Sequence, residues 1–138
     1  MLDSRPDLAV QSVLAIRECL RLVNPAAPRF QPVEVSQSHA ELAWESGPGC
    51  LLFHLPQDDH SYVEMVHPAD FQHDELASGP GGGLHVRASH RLFHDPLEKG
   101  VLLRGRVRGI FLPRCNDLAV AAQAYAEFAA EEPPLGTY

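Results

Sequence analysis

Lysine is almost missing from this chain of 138 residues: Lys99 stands alone beside ten arginines. Positive charge as a whole is short, with 11 Lys and Arg against 18 Asp and Glu, a formal net charge of -7. A general nucleic-acid binder or anionic-membrane binder needs the opposite balance, so neither partner is expected. Cysteine is sparse as well. Cys19, Cys50 and Cys115 are odd in number, far apart and form no CxxC. That argues against a zinc knuckle, a thioredoxin-type pair or a disulfide scaffold, and for reduced, mostly buried thiols. No stretch approaches 18 apolar residues, so no spanning helix is expected. The opening MLDSRPDL has no basic region followed by an apolar run, so a cytoplasmic protein without a signal peptide is the expectation.

Hydrophobic residues make up 45% of the chain, enough for the core of a single domain spanning residues 1–138. The spacing predicts a first helix over about residues 6–23. Ser4 suits an N-cap, Pro6 the first turn and Asp7 the positive end of the dipole. Ala9, Val13, Ile16, Leu20 and Val23 recur at helical steps, and Leu8, Val10, Leu14 and Leu22 widen the stripe. Asn24-Pro25 ends it, and Pro25 to Pro32 reads as a connector.

From about Val33 to Leu112 the period changes to two. Val33 and Val35, then Leu42 and Trp44, alternate with polar residues. Cys50 to Leu55 suits a central strand and Tyr62 to His67 another, with Ser46-Gly47-Pro48-Gly49 turning between strands. Pro68 to Leu76 is read as a short helical turn. Ala77 to Gly83 reads as a surface loop rather than a phosphate cradle, because no Gly-Lys-Ser/Thr opens a helix there. Pro113 ends the last strand, Asn116 or Asp117 caps a second helix over about 117–130, and residues 131–138 form a tail. Glu131 and Glu132 oppose the dipole at that helix end, so fraying is expected. The fold class is therefore α+β: a curved antiparallel sheet of about six strands, open or partly closed into a barrel, with an N-terminal and a C-terminal helix packed on it.

One predicted hairpin concentrates the arginines. Leu84, Val86, Ala88 and Leu92 share one face, which leaves His85, Arg87, Ser89 and Arg91 on the other. In the next strand Arg104, Arg106 and Arg108 point away from Val101, Leu103, Val107 and Phe111, while Gly105 and Gly109 allow bending or close approach. Pairing residue 92 with 101 sets Arg87 opposite Arg106, His85 opposite Arg108 and Ser89 opposite Arg104. Like charges so placed need a neutraliser. Glu34, Glu41, Glu45 and Glu64 on other strands could supply an internal ladder. Alternatively an anion does, since the planar arginine fork suits carboxylate and phosphate.

A second cluster joins Asp58, Asp59, His60, His67, Asp70, His73, Asp74 and Glu75. His67, Asp70 and His73, three residues apart, have the donor types for a divalent metal, although the same residues also fit a polar connector at a sheet rim. No cofactor is otherwise implied. His54 lies in an apolar strand, and His90 interrupts the inward face of its strand, where it is either a hydrogen-bonded core histidine or the lining of a cavity. A His90 base partnered by Glu64 or Asp95 is conceivable, but no GxSxG or nucleophile elbow accompanies it. The leading expectation is a non-catalytic module that binds an anionic small molecule or acidic protein segment through His85, Arg87, His90, Arg91, Arg104, Arg106 and Arg108. The alternatives are an assembly domain, for instance a homodimer, and a small enzyme using a His90 cavity or the His67/Asp70/His73 metal site.

Overall fold

The computed structural model describes residues 9–34, 41–44, 48–56, 59–78, 85–92 and 106–131. Within them run β1 (Ala9–Ala15), β2 (Glu18–Asn24), β3 (Arg29–Val33), β4 (Glu41–Trp44), β5 (Cys50–His54), β6 (His60–Val66), β7 (Phe71–Ser78), β8 (His85–Leu92), β9 (Val107–Pro113) and α1 (Asp117–Ala130). The strands form two antiparallel sheets, neither closed into a barrel. The first, sheet A, has the order β1-β8-β7-β4; the second, sheet B, has the order β3-β2-β5-β6-β9. Nine strands in two sheets thus replace the single sheet of about six.

The predicted helix over 6–23 is not formed: residues 9–24 make β1 and β2. Along β1 exposure alternates, with Val13 and Ala15 out and Leu14 turned toward the core. In β2 both faces are used. Cys19 packs between the sheets, whereas Leu20 and Leu22 pack under the helix. Residues that widen a helical stripe until it is apolar all round equally suit a strand buried on both faces. Backbone pairing with β8 and β5 settles the choice. Ser4, Pro6 and Asp7, the expected start signals, lie outside the described residues.

Three layers result. Leu51 and Phe53 of sheet B meet Leu76, Val86 and Ala88 of sheet A in the inner core. Cys50, Leu52, Val63, Met65 and Leu112 meet Ala121, Tyr125 and Phe128 of α1 in the outer core. β5 feeds both layers and is buried from Cys50 to Phe53, as a central strand should be. Gly49 makes room for the Phe71 ring, since a Cβ there would lie 2.6 Å from it. Of Pro68 to Leu76, only residues 68–70 turn, closed by the Asp70 and Phe71 N–H groups donating to the His67 carbonyl at 2.9 and 3.1 Å, because Phe71–Ser78 pairs with β8 and β4.

The expected hairpin of residues 84–112 is also corrected. β8 lies between β1 and β7, while β9 pairs with β6 in the other sheet. Val101, Leu103, Arg104 and Gly105 lie outside the described residues. The second helix forms over 117–130 as expected. Asn116 occupies the N-cap position as expected, at φ 60°, but makes no side-chain cap bond. Leu118, in the first turn of the helix, is 41% exposed.

Candidate functional site

Between the sheets lies a buried ionic cluster. His90, with no exposed surface, sits on the inner face of β8 beside Val86 and Ala88. Its Nδ1 lies 2.6 Å from Asp74 Oδ1 on the neighbouring strand β7, and its Nε2 lies 2.6 Å from Glu64 Oε2 across the gap on β6. Ser12 Oγ on β1 and Tyr62 Oη on β6 both donate to Glu64 Oε1, the latter at 3.1 Å. Burial alone would raise the Glu64 carboxyl, but the bonds from His90 and Ser12 hold it below the usual range. Burial alone would lower His90. Hydrogen bonds that the ring donates to both carboxylates, Asp74 first, instead raise it from 6.5 to about 9. Gly109 belongs to this arrangement, since a Cβ there would lie 2.3 Å from Tyr62 Oη.

The arrangement can bind a proton tightly and tie two sheets together. It offers little to a substrate: His90, Glu64 and Asp74 are each at most 2% exposed. Of the two partners weighed for His90, Glu64 is present, and Asp95 lies outside the described residues. Asp74 and Ser12 were not assigned to it from sequence. The usable signal for Asp74 was register, because it shares the inward face of β7 with buried Leu76.

A second polar group fastens α1 to sheet B. Asp117 Oδ2 accepts from Ser61 Oγ at 2.6 Å and meets His54 Nε2 at 2.9 Å, while Glu18 lies 3.7 Å from His54 Nδ1. Asp117 thus uses the first turn of the helix as an anchor, where its charge also suits the dipole.

The arginines are divided among several jobs. His85, Arg87, Ser89 and Arg91 do point away from the inner core on β8, on the outer face of sheet A. The row they were expected to oppose is elsewhere. Arg108 packs over the Phe128 ring at 4.4 Å and pairs with Glu131 at 2.8 Å. Arg106 reaches Asp70 with its backbone N–H at 3.0 Å and its Nε at 3.4 Å, and donates to the Glu131 carbonyl at 3.2 Å. These cations sit at the carboxyl end of α1, where they offset the dipole and the Glu131 charge. The side of β9 away from Val107 is therefore the side covered by the helix.

Of the carboxylates expected to form a ladder, Glu41 lies in β4 in register with Ala77, next to Arg87 of β8, and Glu75 is a further carboxylate on this face. Glu75 accepts from Arg91 Nε at 3.1 Å and meets His73 Nε2 at 2.9 Å, and these bonds, His73 first, lower its pKa. Glu64 serves His90, Glu34 is exposed beyond β3, and Glu45 lies outside the described residues.

His67, Asp70 and His73 do not converge. His67 Nδ1 accepts from the Ala69 N–H at 3.1 Å, which leaves Nε2 to donate to the Glu131 carbonyl at 3.2 Å. Asp70 is held by Arg106 and His73 by Glu75. Among the described residues, no group of three or more His, Cys, Asp or Glu could hold a metal ion.

An apolar groove of about 480 Å³ lies elsewhere, between the β2–β3 turn and α1, lined by Pro25, Pro28, Phe30, Leu118, Ala122 and their neighbours. No helix among the described residues is long and apolar enough to cross a membrane. In comparisons with protein-family models, curated proteins and solved structures, none matches this chain.

Proposed function

We propose that the chain is a non-catalytic binding module that holds an acidic protein segment against the outer face of sheet A. One observation carries this reading. The helix layer covers sheet B, and no described element covers the outer face of sheet A, where β8 presents His85, Arg87 and Arg91 beside His73. Between them lie the small, buried side chains of Ser89 and Ala77. On this face Glu75 bridges His73 and Arg91, and Arg87 is exposed. A flat face of this kind suits a segment more than a compact metabolite, which needs a concave pocket. The concealment of His90 favours binding over catalysis.

Fluorescently labelled hexaglutamate tests it. Wild type should bind the peptide in low salt, and Arg87→Glu should weaken binding about fivefold, an effect of about 1 kcal/mol for one exposed charge. Rising salt should weaken both forms. Equal affinity in both proteins, or no binding by wild type, overturns the reading.

Self-assembly is the second reading, favoured by Val13 and Phe111, which are 62% and 69% exposed on β1 and β9, each a border strand of its sheet among the described residues. Light scattering that gives the monomer mass at high concentration would remove it.

A further inference from the structure

The Glu64–His90–Asp74 cluster has a property that binding at the outer face does not use. His90 and Asp74 are register partners within sheet A, whereas Glu64 belongs to sheet B. The bond from His90 Nε2 to Glu64 therefore spans the two sheets, and the bond from Nδ1 to Asp74 fixes the ring to its own sheet. Both facing atoms are carboxylate oxygens. Ionised, they only accept, so both ring nitrogens must donate and the ring is an imidazolium. Ser12 and Tyr62, donating to the other oxygen of Glu64, keep that carboxylate ionised.

We propose that this cluster is a proton-operated latch: loss of one ring proton from His90 leaves two carboxylates in a dry gap and lets sheet A part from β6. Removing the proton costs one of the two hydrogen bonds and turns a buried attraction into a buried repulsion.

The charged and titratable neighbours leave His90 as the responding group. From β6 come Glu64, held below the usual carboxylate range, and Tyr62, pushed up to about 12 by burial and by Glu64. From β7 comes Asp74, and from β1 the Ser12 hydroxyl. From β2 come Cys19, whose thiol burial pushes far up, and Arg21, which lies over the Trp44 ring and feels the charge of Asp74. Cys50 of β5 and Tyr125 of α1 also feel Asp74, and burial pushes each to about 12.

His90 is raised above its ordinary value, so its contribution is fully present below pH 6.5 and is lost as pH rises through about 9. Between those limits the folding equilibrium constant should fall about tenfold per pH unit, the slope for one proton.

Trp44, the single tryptophan, packs against the inner core from sheet A and reports on the gap. In full-length protein taken from pH 6 to 11, we expect its emission to shift reversibly to the red with a midpoint near pH 9. His90→Gln should abolish the shift. Nitrogen-15 histidine spectra of wild type, which need no variant to fold, should show both His90 nitrogens protonated at pH 7 and one proton lost together with the Trp44 change. A neutral His90 ring at pH 7, a His90 titration without a Trp44 response, or the same transition in His90→Gln would each overturn the latch.

Discussion

Two histidines in this molecule occupy the same local pattern, an imidazole between two carboxylates, in opposite surroundings. His90 has Asp74 and Glu64 at 2.6 Å each in a sealed gap. His54 has Asp117 at 2.9 Å and Glu18 at 3.7 Å, its side chain 21% exposed. Where water reaches the pair, the charges are solvated in any case and the partners gain little. Where water is excluded, each partner becomes indispensable, because removing one strands the others unpaired. The arrangement inside the sandwich is therefore the one on which the fold depends. The arrangement at the rim holds a helix end in place.

That contrast can be broken in order of size. Glu64→Ala leaves the buried ring and its two hydroxyl neighbours without their acceptor, and should cost about 3–5 kcal/mol in urea unfolding. Gly109→Ala should cost about 1–3 kcal/mol, because the new methyl would drive Tyr62 Oη away from Glu64. Its alkaline midpoint, read from Trp44, should also fall below that of wild type, since Glu64 then holds its neighbours less tightly. Asp117→Ala removes the acceptor for buried Ser61 and for His54, with an expected loss of about 1–3 kcal/mol. His54→Gln should cost under about 1 kcal/mol, the scale of a wet pair. If His54→Gln proves as costly as Glu64→Ala, burial is not what separates the two sites.

Much of the inner site was legible from alternation alone. His90 falls among Val86, Ala88 and Leu92 on the inward face of its strand, and Glu64 was one of two carboxylates weighed as its partner. Asp74 was hidden because Pro68 to Leu76 read as a helical turn, which erased the register that puts it beside Leu76. Ser12 was hidden inside a predicted helix. Residues 9–24 carry apolar side chains at both helical and alternating positions, and nothing local chooses between the periods.

The arginines show the same division. Alternation set His85, Arg87 and Arg91 on one side of β8 and Arg106 and Arg108 on one side of the next strand. It could not tell that these strands enter different sheets, because pairing partners are chosen by distant backbone and not by neighbours in sequence. Nor could it tell that the carboxyl end of α1 would collect Arg106 and Arg108.

The sequence by itself determined which side chains face inward along β8, that β5 is a central buried strand, where α1 runs, and that charge of one sign is short. These follow from periods of two and of 3.6 residues, which are properties of the local chain. The tertiary structure alone decided that two sheets stack, that residues 9–24 are strands, and that Glu64, His90 and Asp74 share one proton-bearing cluster. Each of those depends on contacts between residues far apart in the chain, such as Glu64 and His90, which are 26 residues apart. Only packing, which excludes water from all three at once, gives them their chemistry.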